Sequence, residues 1–284
     1  HQDHLQPSEV KQYALAHNLP VLQPVKMKDP DFLAALESYH ADLQVVVAFR
    51  MLPEVVWSMP RFGTFNVHAA LLPQYRGAAP INWAVINGET ETGVTTFFLD
   101  KDIDTGRIIL SKTFAIPDDA NVEYVYDGLM ALGADAAVET VDAMLQGNGE
   151  VPSMDQAPLA EGTELKPAPK IFKETCQIAW NQPAKRVYDF VRGLSPYPGS
   201  WTTLAPSGAV LKVYGAAKTG EATQEAPGTI SVSGHRLLVA TADEWLELKE
   251  VQMAGKKRMP SSMATGPSRR ACASKKCAEY TVVS

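Results

Sequence analysis

The spacing of hydrophobic residues changes repeatedly along the first 149 residues, as alternating helices and strands require. Apolar residues at every third or fourth position predict helices over residues 8–17, 30–39, 78–87 and 122–145, with a helical turn over 53–57. Shorter apolar runs predict strands over residues 19–25, 43–49, 64–68, 93–99 and 107–115. The run over 43–49 is apolar or β-branched almost throughout, which favours a strand buried on both faces. Residues 1–149 are therefore predicted to form an α/β domain with a largely parallel sheet.

The pattern changes after residue 149. Residues 150–170 contain four prolines and no clear period, which predicts a linker. A helix is then predicted over 183–193, followed by short strands over 201–204, 210–216, 228–232, 236–240 and 245–250. Glycines and prolines separate these strands, which indicates a small barrel or open sheet. From residue 260 the sequence has no period, and we expect a disordered tail over 260–284.

Composition places the chain among soluble globular proteins. The 284 residues include 45% hydrophobic and 20% charged residues, and 26 basic against 32 acidic side chains give a net charge of −6. The longest uncharged apolar run is far shorter than the ~20 residues of a membrane span, and no apolar leader follows the start. A cytoplasmic protein without a membrane partner is therefore expected. The three cysteines form no even set and no C-x-x-C pair, so no disulfide framework is expected. Cys272 and Cys277 lack nearby histidines, so no metal site is expected.

The charge is unevenly distributed. Residues 256–284 carry a net charge of +6, so the preceding 255 residues carry −12. A basic segment beside an acidic body suggests an anionic partner that is met locally. A solvated terminus without a partner fits the same distribution.

The strongest chemical signal lies at the end of the strand predicted over 64–68. Asn66 and His68 are two residues apart, so their side chains project from the same face of a strand. An amide can donate a hydrogen bond to a developing oxyanion, and an imidazole can take the proton of an attacking amine, which together suit acyl transfer. A buried histidine satisfied by the backbone, beside a turn-capping asparagine, is the alternative interpretation.

Three acidic residues follow the strand predicted over 93–99. Asp100, Asp102 and Asp104 have alternate spacing, but the EF-hand pattern fails because its glycine and its twelfth-position glutamate are missing. One carboxylate directed at His68 would orient the imidazole and stabilise its charged form. A solvated acidic turn remains the alternative for Asp100 and Asp102.

The stretch NVHAALLPQYRGAAPINWAVINGETETGVTTFFLDKDIDTGRII, with KPAPKIF, WNQPAKRVYDFVRGLSPYPGSW and VQMAGKKRM after it, resembles the folate-dependent formyltransferases, in particular those that act on methionyl-tRNA. The resemblance covers about residues 8–259. It implies a Rossmann-like formyltransferase domain over 1–149, with a mostly parallel sheet whose N-terminal strands are missing. A linker over 150–170 and a small OB-like β-barrel domain over 171–259 would follow.

The resemblance also implies a reaction. A formyl group would pass from 10-formyltetrahydrofolate to the α-amine of methionyl-initiator tRNA, without a metal and in a monomer. Asn66, His68 and Asp104 match the catalytic triad of the family: the first two would polarise the formyl oxygen, and Asp104 would orient His68. A sugar-nucleotide acceptor, or an inactive remnant that only binds tRNA or folate, is the alternative.

Binding residues are implied in the same way. The folate-contacting segments of the family match Ala70, Leu71, Leu72 and Pro73, and the pterin-flanking loop matches Val47, Phe49, Arg50, Met51 and Leu52. Candidate contacts to tRNA phosphates are Lys170, Lys173, Arg192, Lys256, Lys257 and Arg258. Position 70 is alanine where the family usually has serine, which removes one hydroxyl. The family also begins with a strand–helix–strand unit carrying a G-T-P motif, which we expect this chain to lack, and residues after Met259 match nothing in the family.

Overall fold

The computed structural model describes residues 6–47, 51–264 and 281–283. In its first part the helices are α1 (Glu9–Ala16), α2 (Pro30–Glu37), α3 (Glu54–Trp57), α4 (Pro80–Ile86) and α5 (Val122–Gln146). The strands of this part are β1 (Gln44–Val47), β2 (Thr64–His68), β3 (Glu91–Phe98) and β4 (Ile108–Ala115). No helix among the described residues combines the length and the apolar character needed to cross a membrane.

The four strands form one sheet in the order β1-β2-β3-β4. β1 runs parallel to β2, whereas β2 pairs with β3, and β3 with β4, in antiparallel register. The predicted parallel character of this sheet thus describes the β1–β2 side, and the β3–β4 pairing has a register shift between Thr96 and Phe97. This arrangement brings the ends of β1 and β2 to the same edge of the sheet.

Capping residues set the starts of the helices where the sequence predicts them. Ser8 Oγ accepts the backbone N–H of Lys11 at the start of α1, and Asn121 Oδ1 accepts that of Tyr124 at the start of α5. Asp29 Oδ1 accepts the N–H of Asp31 in α2, with Pro30 as the first helical residue. Each side chain satisfies a donor that the first helical turn leaves without a partner.

Two predictions about the N-terminal strands are wrong. Residues 19–25 form no strand, because Pro20 and Pro24 lack the N–H groups that a strand ladder needs. β1 is not buried on both faces: Val45 is 44% exposed and Val47 is 62% exposed. β1 lies at the edge of the described sheet, so its apolar run does not report burial.

Helix α5 closes the core of the first part. Its buried residues recur at intervals of three and four along 25 residues, as an amphipathic helix requires. They pack with the fully buried Val85 and Val94. Thr140 Oγ1 lies 2.8 Å from Thr96 Oγ1 of β3, which satisfies two buried hydroxyl groups where helix and sheet meet.

Residues 153–168, which we call the strap, lie against the first domain although the sequence predicts only a linker there. Met154 exchanges two backbone hydrogen bonds of 2.8 Å with Ile108. At the other end, Ala168 N–H donates to Arg76 O, and Ala168 O accepts the N–H of Ala79. The strap includes the short helix α6 (Ala157–Ala160). Proline-rich composition therefore marks a segment without periodicity, which is nevertheless hydrogen-bonded to the first domain.

The second part contains α7 (Ala184–Gly193) and an antiparallel sheet. Its strands are β5 (Ser200–Ala205), β6 (Ala209–Ala222), β7 (Ile230–Ser233), β8 (Arg236–Ala240), β9 (Glu244–Met253), β10 (Met259–Pro260) and β11 (Thr281–Val283). Trp180, Val213, Leu246 and Leu248 are fully buried between this sheet and α7. The described strands follow the order β11-β5-β6-β9-β8-β7, with β10 beside β9.

The predicted disordered tail is wrong at two places. Ser261–Ala264 forms the short helix α8, and β11 pairs with β5. Residues 265–280 and 284 of the predicted tail lie outside the described residues.

An arginine that is held in a buried ion pair on α7 joins the two parts. Asp189 and Arg192, three residues apart on α7, are 1% and 6% exposed, and Arg192 Nε donates to Asp189 Oδ1 at 2.9 Å. Arg192 Nη1 also donates to Ala120 O, at the turn before α5, at 2.9 Å. Gly193 lets α7 approach α4, since a Cβ there would lie 2.8 Å from the backbone nitrogen of Ile86.

Candidate active site

Asn66 and His68 lie at the end of β2, on the edge where the strands β1 and β2 finish. They are two residues apart and project from one face of the sheet, as the sequence predicts. Their register on β3 is fixed, with Asn66 opposite Phe97 and His68 opposite Thr95. The sheet therefore sets the separation between the amide and the imidazole.

The ring of His68 has a defined orientation. Its Nε2 lies 2.9 Å from the carbonyl oxygen of Tyr75, and its side chain is 7% exposed. A carbonyl oxygen only accepts hydrogen bonds, so Nε2 carries the proton of the neutral ring. Nδ1 is then the basic nitrogen.

Asp104 faces that basic nitrogen. Its Oδ2 lies 3.8 Å from His68 Nδ1, too long for a hydrogen bond but close enough to stabilise a charged ring. The same oxygen accepts the backbone N–H of Gly77 at 2.9 Å. Asp104 adopts a left-handed backbone conformation with φ +57°, which directs its side chain inward from the loop after β3.

The side chain of Asn66 carries an unsatisfied polar atom. Within the described part of the chain, its buried Oδ1 has no hydrogen-bond partner. Buried polar atoms are nearly always paired in folded proteins. An unpaired one beside a histidine and a carboxylate is expected where a ligand supplies the missing donor.

These three side chains line a cavity of about 1600 Å³. Its apolar wall includes Val46, Leu129 and Met130. The loop over 100–104 and the start of α4 border the cavity too. A flat, largely apolar ligand fits the apolar wall, and a polar reacting end of that ligand fits beside the three polar side chains.

The predicted folate-contacting residues fall into three groups. Val47, Met51 and Leu52 line the cavity, whereas Phe49 and Arg50 lie outside the described residues. Ala70, Leu72 and Pro73 are buried, Leu71 is half-buried, and none of these four lines the cavity, where Ala69 borders it instead. Thr95 Oγ1 fixes this segment by donating to Ala70 O and accepting the N–H of Leu72.

The predicted tRNA-binding residues also separate. Lys170, Lys173, Lys256 and Lys257 are exposed. Arg258 is exposed as well, and its guanidinium lies 3.5 Å from the centre of the Tyr214 ring.

Arg192, by contrast, is buried in its ion pair with Asp189. A guanidinium that is held there and bonded to Ala120 O has its donors engaged inside the protein. We therefore leave Arg192 out of the tRNA contacts proposed below.

Tyr75, whose carbonyl accepts from His68, is held by a second polar network. It is 4% exposed, has a left-handed φ of +58°, and its hydroxyl donates to Glu89 Oε1 at 2.6 Å. Burial, reinforced by the hydrogen bond to Glu89, raises the pKa of the Tyr75 hydroxyl. Burial opposes ionisation of Glu89, but hydrogen bonds from Lys166 Nζ and Tyr75 outweigh it and hold the pKa of Glu89 below its ordinary value.

Glu89→Gln is expected to lower stability at neutral pH by about 1 kcal/mol, discounted for the partial exposure of Glu89. Because the folded pKa of Glu89 is depressed, its stabilisation is complete above its ordinary pKa and is lost as the pH falls through the folded value. Urea unfolding from pH 7 to 3 should therefore show the gap between parent and variant closing. Glu139→Gln, which removes the exposed partner of Lys112, is the control and should change stability less. A gap that stays constant with pH would contradict the role of the Glu89 charge.

Two sequence profiles match most of the chain. The profile described as "Formyl transferase" matches residues 1–141, and "Formyl transferase, C-terminal domain" matches residues 170–267. The chain belongs to the formyltransferase family. The second match continues to residue 267, beyond Met259, the last residue of the family motifs.

Curated relatives of this formyltransferase are themselves named methionyl-tRNA formyltransferases. The relative from Bacteroides fragilis is 58% identical over 259 residues, which cover 90% of this chain and 79% of the relative. The relative from Flavobacterium johnsoniae is 45% identical over 254 residues, covering 89% of this chain and 79% of the relative.

Solved structures share the fold at lower identity. HypX from Aquifex aeolicus, in complex with tetrahydrofolic acid, has a TM-score of 0.60 and 20% identity, and the match covers 84% of this chain but 41% of HypX. WlaRD, a sugar 3N-formyl transferase solved with dTDP and 5-N-formyl-THF, has a TM-score of 0.63 and 17% identity, covering 90% and 84% of the two chains. The Rossmann-like formyltransferase class predicted from the sequence is confirmed.

Three groups around the formyltransferase site were not predicted. They are the N–H of Gly77, the carbonyl of Tyr75 and the amide of Gln156, which lies in the strap. Two are backbone groups, whose contacts do not depend on the chemistry of their own side chains. Gly77 carried the one available signal, because its φ of +129° and the 2.4 Å approach of Ala168 O to a Cβ require glycine.

Proposed function

We propose that this formyltransferase transfers a formyl group from 10-formyltetrahydrofolate to the α-amine of methionyl-initiator tRNA. The observation that carries the proposal is the convergence of Asn66, His68 and Asp104 on one cavity, in a chain 58% identical to a methionyl-tRNA formyltransferase. The folate supplies an activated formyl group when it is bound. The three side chains supply hydrogen bonding and proton transfer.

His68 is the base. Since Tyr75 O holds the proton on Nε2, Nδ1 is free to take a proton from the attacking amine. The ring becomes a cation as it does so, and the Asp104 carboxylate 3.8 Å away stabilises that charge. As the bond between the formyl carbon and the folate nitrogen breaks, the ring gives the proton to that nitrogen, so tetrahydrofolate leaves as a neutral amine and His68 is again the base. The N–H of Gly77 keeps the carboxylate in place.

Asn66 stabilises charge on the formyl oxygen. Its side-chain nitrogen donates a hydrogen bond, and a fixed donor in a partly buried site is worth more than one in water. Its unpaired Oδ1 accepts a donor from the bound reactants, which satisfies the buried atom described above. Substrate binding and charge stabilisation thus use opposite ends of one amide.

The cavity suits the folate. Its apolar wall suits a planar ring system, and Asn66, His68 and Asp104 all belong to its lining. Val47, Met51 and Leu52 are proposed to contact the pterin. Ala70–Pro73 lie behind the cavity lining and are proposed to support it through their hydrogen bonds to Thr95. Because all three catalytic side chains come from one chain, we propose that the protein acts as a monomer. Because the proposed acceptor is a tRNA, we propose that it acts in the cytoplasm.

An acceptor assay tests the proposal. Purified protein and 10-formyltetrahydrofolate labelled in the formyl group are incubated with methionyl-initiator tRNA or with a dTDP-amino sugar. Label is expected on the tRNA and not on the sugar. Label on the sugar alone would show that the alternative acceptor is the substrate, and label on neither would overturn the proposal.

Lys170 and Lys173 lie between the strap and the second domain. We propose that they bind tRNA phosphates together with Lys256, Lys257 and Arg258. The double variant Lys170→Ala/Lys173→Ala should weaken tRNA binding and reduce the slope of log affinity against log salt by about 2. Filter binding between 50 and 300 mM KCl measures both quantities. Lys249→Ala, an exposed lysine already paired with Glu247, is the control. Equal slopes in parent and double variant would remove these lysines from the interface.

A further inference from the structure

The strap contacts the backbone of Tyr75, whose carbonyl orients His68, and the backbone of Asp104. Two residues of the site, Tyr75 and Asp104, have left-handed backbones that residues other than glycine rarely adopt. Such conformations persist where surrounding contacts fix them. The strap supplies these contacts: Tyr75 N–H donates to Lys166 O at 2.7 Å, and Asp104 O accepts from the side chain of Gln156 at 2.9 Å.

Gln156 is the buried centre of the second contact. It is 1% exposed, and its Nε2 donates to Asp104 O at 2.9 Å and to Gly106 O at 2.7 Å. Its Oε1 accepts from Arg76, at 2.8 Å from Nη2 and 3.3 Å from Nε. The two carbonyls need donors and the guanidinium needs an acceptor, so the amide has one possible orientation.

We infer that Gln156 is a positioning residue for Asp104. Its amide nitrogen donates hydrogen bonds to the backbone carbonyls of Asp104 and Gly106, on both sides of Thr105. These two bonds fix the turn that carries the carboxylate. The other end of Gln156 holds Arg76, the residue before the Gly77 N–H that binds the carboxylate. One side chain therefore fixes both the carboxylate's own backbone and the loop that holds its oxygen.

The inference rests on the proposed function, in which Asp104 stabilises the charged ring of His68. A displacement of about 1 Å in a catalytic group can cost roughly 100-fold in rate. Loss of Gln156 should therefore reduce turnover without changing the cavity wall that contacts the folate. It predicts a fall in kcat with little change in KM.

Two variants and a matched control test this role. Gln156→Met has a similar length and no polar atoms, whereas Gln156→Glu keeps an acceptor for Arg76 but has no donor at neutral pH. Ser153→Ala is the control. Ser153 lies in the same strap and accepts a hydrogen bond from the Arg107 side chain, and it has no described hydrogen bond to residues 103–106. In both Gln156 variants we expect kcat to fall about 10- to 100-fold, with KM for the folate donor within about 2-fold of the parent. In Ser153→Ala both constants should stay within about 2-fold of the parent.

Hydrogen exchange gives a readout that does not depend on activity. Peptides covering 103–106 should exchange faster in Gln156→Met and at the parental rate in Ser153→Ala. Unchanged exchange would show that Gln156 does not fix the turn. Faster exchange with parental kcat would show that the turn does not matter for turnover, and a fall in kcat with an equal rise in KM would indicate general loosening. Each of these overturns the inference, whereas a parent without formyl transfer overturns the proposed function and leaves the exchange result to judge Gln156.

In Gln156→Glu, turnover relative to the parent should recover partly as the pH falls, because a protonated carboxyl regains one donor. Gln156→Met has no such group and should show no recovery over the same range. Parallel pH profiles for the two variants would count against a hydrogen-bonding role.

Discussion

Replacing His68 with alanine should lower kcat by about 10²- to 10⁴-fold while the KM for the folate donor changes little. The ring supplies the base through Nδ1, and its removal leaves the amine with only water to take its proton. Steady-state formylation of methionyl-tRNA measures the loss. Thermal unfolding of the same preparation checks that the fold remains.

A second substitution separates the base from the hydrogen bond to Tyr75. His68→Gln keeps an N–H that can donate to Tyr75 O but has no basic nitrogen, so it should be as inactive as the alanine variant. His17→Ala is the control, because His17 is exposed and the described contacts of its side chain, a hydrogen bond to the Tyr13 carbonyl and stacking on the Tyr13 ring, are remote from the site. Activity in His68→Gln within 10-fold of the parent would remove the base from the mechanism.

Replacing Asp189 with alanine should destabilise the protein by about 3–5 kcal/mol, the typical cost of leaving a buried charge without its partner. Arg192 would then keep its bond to Ala120 O but lose the carboxylate 2.8 Å from its Nη2. Urea unfolding measures the change in the free energy of unfolding. If the alanine variant does not fold, Asp189→Asn, which preserves shape and removes the charge, gives a milder measurement.

Lys218→Ala is the matched control for this ion pair. Lys218 and Asp118 also join the two parts of the chain, at 3.0 Å, and each shifts the other's pKa toward the charged form through their hydrogen bond. This pair is largely exposed to solvent, so its loss should cost less than about 1 kcal/mol. Equal losses for the buried and the exposed pair would contradict the assigned importance of burial.

Local elements could be predicted well because their causes are local. β2 begins and ends at the predicted residues, and α5 ends one residue later than predicted, before the Gly147 that stops it. A run of β-branched residues or a capping side chain acts over a few positions. Such signals are readable from one sequence.

The remaining features depend on neighbours that are distant in sequence. The valines of β1 predict a strand, but only the sheet order decides whether that strand has neighbours on both sides. Arg192 has the charge expected of a phosphate contact, yet its surroundings on α7 and at Ala120 make it part of the core. The hydrogen bonds of Gln156 follow no period, so the strap was predicted as a linker.

The strap also changes where the catalytic domain ends. A domain boundary at residue 149 separates the Asp104 backbone from the Gln156 amide that donates to it. It also separates the Tyr75 N–H from the Lys166 carbonyl that accepts it. Recombination that joins this catalytic domain to a foreign C-terminal domain would preserve the site only with a breakpoint after residue 168. A recombined protein would thus keep the catalytic activity only if it also kept the strap, which contributes no reacting atom.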